Sequence, residues 1–146
     1  FLGEKLDLCW FWNREMWKDY YYIGDTRIID AAVLWKKDSY IPNTLMCLSF
    51  QFQKHLSLGR GGMILTDDKE AAEALKKMSY DGRLPDKPWR DQDISSMGYH
   101  YYMTPETAQI GLDKLEEAKT RTPRQWEWED WPDLRNMEIF KKQGLS

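Results

Sequence analysis

The chain is poor in the residues that build metal sites, and it has no long apolar run. Among its 146 residues are only two cysteines and two histidines, and the spacing of Cys9 and Cys47 does not suit metal ligands. We therefore expect no zinc site, and we expect reduced thiols in a cytoplasmic protein. No apolar stretch approaches the roughly 18 residues of a membrane span. The charges within residues 1–5 also argue against a signal peptide.

An excess of positive charge is missing as well. Lys and Arg together number 21 against 24 Asp and Glu, so the net charge is -3 and a nucleic-acid-binding surface is not expected. Apolar residues make up 42% and charged residues 31%, which is typical of a folded globular protein. The length suffices for one modest domain. Because the chain opens without Met in sequence that reads as structured, we expect a piece of a longer protein.

What the chain does contain is a lysine between two short apolar runs. The runs span residues 45–50 and 63–66, and both have the length of strands. Lys54 lies between them, shortly after Ser49, and a glycine-rich turn follows at residues 59–62. Such a turn lets a ligand approach the backbone, and a partly desolvated lysine there has a pKa below the usual value of about 10.4 and a nucleophilic amine. A solvated loop lysine is the commoner alternative.

An acidic residue precedes this segment. Residues 27–32 read as a buried strand with Asp30 at its carboxyl end, and ligands collect outside such ends in open α/β sheets. If this strand and the one before Lys54 are parallel neighbours, a carboxylate and an amine face one crevice. That pairing suits pyridoxal phosphate, because a lysine forms the Schiff base and an acid keeps the pyridinium nitrogen protonated. A capping role for Asp30 in the following turn is the alternative.

Three separated motifs then carry a family resemblance. They are I-I-D-A-A at 28–32, C-L-S-F-Q-F-Q-K-H-L-S-L-G-R-G-G-M-I-L-T-D-D at 47–68 and G-Y-H-Y-Y-M-T-P-E-T-A-Q-I-G-L-D-K-L at 98–115. They resemble the DegT/DnrJ/EryC1/StrS family of pyridoxal-phosphate-dependent sugar aminotransferases, over about residues 25–119. The resemblance implies a partial α/β, three-layer fold of the type I, aspartate-aminotransferase-like class. Residues 1–120 would belong to the large cofactor-binding domain, and residues 121–146 would form a peripheral C-terminal segment.

The resemblance also implies roles for four residues. Lys54 matches the lysine that binds pyridoxal phosphate, Asp30 matches the aspartate at the pyridine nitrogen, and Ser49 matches a serine that contacts the phosphate. His100 lies in a motif that reaches into the neighbouring subunit's site, which implies a homodimer. The implied activity is transfer of an amino group from an amino-acid donor to a keto-sugar, expected to be nucleotide-linked.

The chain departs from the family pattern at three positions. Val33 stands where the family usually has Gln or His, His100 where it has Asn, and Tyr102 where it has Arg. The sequence also lacks the first stretch of the expected cofactor domain, with its own phosphate-binding turn. A non-catalytic remnant that acts as a binding or assembly module is therefore the alternative function.

Helices are predicted on either side of the third motif's start. Residues 69–80 have a helical pattern that Gly82 ends, and residues 105–119 follow Thr104 as a cap, with proline in the first turn. Near the beginning, residues 8–21 are crowded with aromatic side chains at helical spacing. We expect a short helix there, with an aromatic face used for packing.

Overall fold

The computed structural model of the protein describes residues 19–130, 132 and 136–141. Most of the aromatic helix predicted over residues 8–21 lies outside these residues, and residues 19–21 are not helical. The described chain forms a small sheet followed by helices. No helix in this part of the chain combines the length and the apolar character that crossing a bilayer would require.

The sheet contains four strands in the order of the chain. They are β1 (Tyr21–Tyr22), β2 (Ile28–Asp30), β3 (Leu45–Ser49) and β4 (Gly62–Leu65). β2 runs parallel to β3, whereas β1 and β4 run antiparallel to their neighbours. The sheet therefore contains the parallel pair of strands on which a shared crevice for Asp30 and Lys54 depends. Since parallel strands end at the same edge of a sheet, residues that follow β2 and β3 come together there.

A small apolar cluster holds the parallel pair together. Ile29 and Met46 are direct partners across β2 and β3, and their side chains are 0% and 1% exposed. Ala31 joins them on the same face, as the two-residue period of a strand requires. Partly buried apolar side chains surround this cluster: Tyr20, Leu34, Tyr40, Ile41, Leu48 and Leu65.

The two longer helices match the sequence prediction to within one residue. α1 spans Lys69–Ser79, and the Asp68 side chain accepts a hydrogen bond of 2.9 Å from the backbone N–H of Ala71. α2 spans Pro105–Thr120 after the cap residue Thr104. Such caps satisfy N–H groups that have no partner within the helix. A short helix, α3, follows at Glu138–Lys141.

A second apolar cluster attaches α2 to the turn after β3. Phe50, Leu56 and Ala118 are buried together, and Leu115 packs against them. The Trp35 ring nitrogen donates a 3.0 Å hydrogen bond to the backbone carbonyl of Ala118. The carboxyl-terminal end of α2 is thereby fixed beside the edge of the sheet where β2 and β3 end.

The two ends of the connection between α1 and α2 lie close together. A Cβ atom at Gly98 would lie only 1.8 Å from the backbone nitrogen of Gly82, so these two glycines allow an approach that a side chain would prevent. The backbone N–H of Tyr99 donates to the carbonyl of Met78 at 2.6 Å. The loop of residues 83–97 is therefore anchored at both ends.

Candidate active site

A cleft of ≈ 260 Å³ opens where β2 and β3 end. It receives side chains from the segment after β2, from the turn after β3 and from the chain that follows α2. Its lining consists of Ala31, Ala32, Val33, Leu34, Trp35, Leu48, Ser49, Phe50, Gln53, Lys54, His55, Arg121, Thr122, Pro123, Arg124 and Trp126. None of these described lining residues is acidic. The structure therefore brings Ser49 and Lys54 into one cleft.

Lys54 is a half-buried cation in this cleft without a carboxylate partner. The Nζ atom lies 5.1 Å from the centroid of the Trp126 ring. This Nζ forms no hydrogen bond or ion pair with the described residues. Burial lowers the pKa of Lys54, and the negative charge of Asp30 opposes that shift. Because the pKa is lowered, a larger fraction of Lys54 is a neutral, nucleophilic amine at a given pH than for a free lysine.

Backbone hydrogen bonds fix the turn that presents Lys54. The N–H of Lys54 donates to the carbonyl of Gln51 at 2.9 Å, and the N–H of Phe50 donates to the carbonyl of Gly61 at the same distance. β4 can lie close to β3 because Gly62 has no side chain: a Cβ atom there would be 2.3 Å from the Leu48 carbonyl oxygen. The glycines near residue 60 thus close the turn.

Ser49 ends β3 within the same cleft. Its Oγ accepts a 3.3 Å hydrogen bond from the backbone N–H of Gln51. That bond uses a lone pair and leaves the hydroxyl hydrogen available as a donor. Ser49 can therefore donate a hydrogen bond to an anion in the cleft while it stabilises the turn.

Asp30 is the last residue of β2 and is not among the lining residues of the cleft. One carboxylate oxygen accepts a 2.6 Å hydrogen bond from the Tyr21 hydroxyl, and the other accepts a 2.9 Å bond from the backbone N–H of Ala32. Burial, and then the charge of Asp30, raise the pKa of the Cys47 thiol across the strand pair. The hydrogen bond from Ala32 makes Asp30 a cap of the turn that follows β2. The negative charge of Asp30 also raises the pKa of Lys54. Each oxygen keeps a free lone pair.

His100 lies in a separate cluster, outside the cleft of its own chain. Its Nδ1 is 3.1 Å from an Asp81 carboxylate oxygen, which also accepts a 2.8 Å hydrogen bond from Arg83. Hydrogen bonds from Arg83 and then from His100 hold the pKa of Asp81 below its usual value. The His100 ring also contacts the Tyr102 ring, at 4.5 Å between centroids. The imidazole is 69% exposed.

Several residues that line the cleft were not predicted from the sequence, and they include Trp35, Arg124 and Trp126. Trp35 packs on the His55 ring at 5.0 Å between centroids, and Trp126 and Arg124 come from the chain after α2. The Arg124 guanidinium lies 4.0 Å from the centroid of the Trp126 ring. No local pattern indicates that this segment returns to the sheet. The excess of tryptophan among the acids of the tail was the only available signal.

Comparisons with known proteins identify the family of the chain and its fold. A sequence profile of the DegT/DnrJ/EryC1/StrS aminotransferase family matches residues 42–130. An uncharacterized protein of Methanocaldococcus jannaschii is 31% identical over 136 residues, which cover 87% of this chain and 34% of that protein. The chain therefore spans about a third of the length of this relative.

Solved structures of two aminotransferases share the fold. One is Helicobacter pylori PseC, an aminotransferase involved in the biosynthesis of pseudoaminic acid, and the other is a putative PLP-dependent aminotransferase from Bacillus cereus. Each has a TM-score of 0.53 and 22% identity; the matches cover 61% and 62% of this chain and 25% of each of the other chains. The predicted fold class is thus confirmed, with the described residues forming part of a type I aminotransferase fold.

Proposed function

The chain belongs to the DegT/DnrJ/EryC1/StrS aminotransferase family, and we propose that it works as part of a pyridoxal-phosphate-dependent aminotransferase with Lys54 as the cofactor-binding residue. The proposed reaction moves an amino group from an amino acid to a nucleotide-linked keto-sugar. The observation that carries the proposal is the half-buried Lys54 amine, which has a lowered pKa and no carboxylate partner among the described residues. It lies where two parallel strands end, the usual place for ligands in such sheets.

The residues of the cleft fit the chemistry of this cofactor. An amine of lowered pKa suits covalent attachment to an aldehyde. The Ser49 hydroxyl suits a phosphate, and none of the described lining residues is acidic. When bound, pyridoxal phosphate supplies a conjugated ring that accepts the electron pair left when a bond to the donor's Cα breaks.

Each residue of the chain has a separate task in this proposal. Lys54 would hold the cofactor through Nζ and, once released from it, would take a proton from the donor's Cα as a general base. A lowered pKa favours this role, because the base is the neutral amine. Asp30 would direct its negative charge at the ring nitrogen, with Tyr21 and Ala32 fixing the carboxylate by hydrogen bonds. Ser49 would donate a hydrogen bond to the phosphate.

The proposed working unit is a homodimer in which His100 reaches the phosphate in the partner's site. His100 is exposed, lies outside its own cleft, and is followed by Tyr101, which is 77% exposed. Exposed aromatic side chains are enriched in protein interfaces. We retain the division into a part of the large domain, residues 1–120, and a C-terminal segment, residues 121–146, within this proposal.

A second candidate function is that of a non-catalytic binding or assembly module. It is favoured by the position of the Trp126 ring, which covers the Lys54 amine at 5.1 Å. In this alternative the segment after α2 fills the cleft permanently, and no cofactor enters.

Trapping the cofactor decides between the two functions. The chain is mixed with pyridoxal phosphate and reduced with borohydride, and the modified lysine is identified by mass spectrometry. We expect the pyridoxyl group on Lys54, with loss of the label in Lys54→Arg and retention in the matched variant Lys69→Arg. Labelling of Lys36 or Lys37 instead would end the assignment, and no specific label would favour the module.

A further inference from the structure

The charge of the Lys54 cleft is opposite to the charge of the whole chain. The protein has a net charge of -3, yet the cleft is lined by Lys54, Arg121 and Arg124 and by none of the acidic side chains of the described residues. A cleft lined by one sign of charge attracts ligands of the other sign. A ligand with negative charge near the two arginines would therefore fit this cleft.

The two arginines are engaged to different extents. Arg121 donates through Nη2 to the His55 carbonyl and lies through Nη1 3.5 Å from a Glu117 carboxylate oxygen. Arg124 donates only through Nη2, to Asp130. Its Nε and Nη1 form no hydrogen bond with the described part of the chain. Of the two guanidinium groups, Arg124 therefore has more donors left for a ligand.

Arg124 is also held in a defined position. The Trp126 ring contacts the guanidinium from one side, at 4.0 Å from its centroid. Asp130 holds Nη2, and is itself fixed by a 2.9 Å hydrogen bond from the backbone N–H of Glu127. Nη2 carries a second N–H besides the one that Asp130 accepts, and this N–H forms a two-donor fork with a neighbouring N–H on Nε or Nη1. Such a fork matches the oxygens of carboxylates and phosphates.

The same tryptophan links Arg124 to the reactive lysine. Its ring centroid lies 4.0 Å from the Arg124 guanidinium carbon and 5.1 Å from the Lys54 Nζ. Arg124 and Lys54 therefore contact the same indole ring, and an oxyanion bound by Arg124 would occupy the cleft that holds the amine. Ser49 is a separate donor at the end of β3.

We propose that Arg124 is an oxyanion-binding residue of the Lys54 cleft, and that Trp126 and Asp130 hold it in position. It binds the anionic group of the substrate, which is either the carboxylate of an amino-acid donor or a phosphate of a nucleotide-linked sugar. The identity of this ligand rests on the proposed function, whereas the binding of an oxyanion does not.

Calorimetric titration of the whole chain without cofactor tests the site. The probes are succinate for the carboxylate and uridine diphosphate for the phosphate. We expect at least one of them to saturate the parent and to bind Arg124→Gln tenfold more weakly or worse, because a charge-assisted hydrogen bond is lost. Arg90→Gln, which removes an exposed arginine outside the cleft, is the matched control and should bind like the parent.

The pattern of losses identifies the ligand. Weakening with succinate assigns the carboxylate, and weakening with uridine diphosphate assigns the phosphate. Arg124→Lys keeps the charge but not the fork, so its affinity should lie between those of the parent and Arg124→Gln. No saturable binding by the parent, equal binding by Arg124→Gln, or an equal loss in Arg90→Gln overturns the proposal.

Cofactor trapping separates this proposal from the proposed function. Lys54 should be labelled by pyridoxal phosphate and borohydride to the same extent in Arg124→Gln and in the parent. Loss of that label would assign the oxyanion site to the cofactor's phosphate and overturn its assignment to substrate. If Lys54 is labelled normally and Arg124→Gln binds the probes like the parent, the oxyanion site alone is refuted. If probe binding depends on Arg124 but Lys54 takes no pyridoxyl label, the cofactor proposal alone is refuted.

Discussion

Lys54 and His100 are both proposed site residues, but they lie in opposite electrostatic surroundings. Lys54 reaches a cleft without acidic lining residues among those described, and burial lowers its pKa. His100 lies 3.1 Å from the Asp81 carboxylate, which Arg83 also contacts. The Lys54 amine contacts the Trp126 ring and remains able to act as a nucleophile. The His100 ring is oriented by its contact with the Asp81–Arg83 pair.

The difference indicates different tasks for the two residues. A nucleophile must be able to lose its proton, which a neighbouring carboxylate would hinder. A residue that binds a phosphate needs a fixed direction, which a carboxylate on one ring nitrogen provides. The contact with Asp81 occupies Nδ1 of His100, and Nε2 forms no hydrogen bond within the described chain. Nε2 is therefore the atom that can face a partner.

The largest effect is expected from separating the two residues onto different chains. Lys54→Ala and His100→Ala should each be nearly inactive, because each removes one group from both sites of a homodimer. After mixing, half of the dimers are mixed and have one complete site of two, so about a quarter of the parental activity should return. Transamination is measured after subunit exchange has been confirmed.

The control for this experiment is a mixture of Lys54→Ala with Asp30→Asn. Lys54 and Asp30 are both proposed to serve the site of their own chain. A mixed dimer therefore has one defect in each of its two sites. That mixture should show no activity beyond the residual activity of Asp30→Asn. If the mixture with His100→Ala also recovers nothing, His100 does not reach the partner's site.

Local sequence patterns were sufficient to predict most of the fold. Strand alternation, cap residues and glycine positions act over a few residues, so β2, β3, β4 and both longer helices were placed closely. β1 was missed because Tyr21–Tyr22 is too short to show a period. The sequence left the parallel pairing of β2 with β3 as a condition for bringing Asp30 and Lys54 to one crevice, and the structure contains that pairing.

The far wall of the cleft could not be predicted, because it depends on a long-range return of the chain. Trp126 follows α2 and contacts Lys54. No pattern in the sequence around either residue predicts this contact. The cluster around Asp81 has the same character. It requires Asp81 in the left-handed region, at φ 57, and a close approach of Gly82 to Gly98. Both features arise from tertiary packing rather than from local propensity.

An intermediate effect is expected from changing the charge of Asp30. Asp30→Asn keeps the shape of the side chain but removes the charge that acts on Lys54. If Asp30 meets the ring nitrogen, labelling of Lys54 should persist while the half-reaction slows more than tenfold, since charged and neutral partners differ strongly there. Stopped-flow absorbance with an amino-acid donor measures this rate.

The capping role of Asp30 predicts a different outcome. The side chain accepts a hydrogen bond from the backbone N–H of Ala32, so a purely structural role would cost about 0.5–2 kcal/mol of stability when removed. Thermal unfolding of Asp30→Ala measures that cost. Unchanged half-reaction rates in Asp30→Asn, together with a loss of stability in Asp30→Ala, would assign Asp30 to the cap alone.

The smallest effect is expected in the titration of Lys54. Burial disfavours the charged amine, so Lys54 should lose its proton at a lower pH than a free lysine, whose pKa is about 10.4. The pH dependence of acylation at Lys54, followed by mass spectrometry, gives the midpoint. A lysine amide in the same solution is the reference. A midpoint at or above that of the reference would contradict the unpaired, half-buried setting of this amine.

Two substitutions should move that midpoint in opposite directions. The negative charge of Asp30 raises the pKa of Lys54, so Asp30→Asn should lower the midpoint further. Trp126→Ala removes the ring 5.1 Å from Nζ; water then reaches the amine, and the midpoint should rise toward the reference. Equal midpoints in the parent and in Trp126→Ala would mean that the indole does not shield Lys54. The lowered pKa would then arise from the sheet and the turn after β3, rather than from the segment that follows α2.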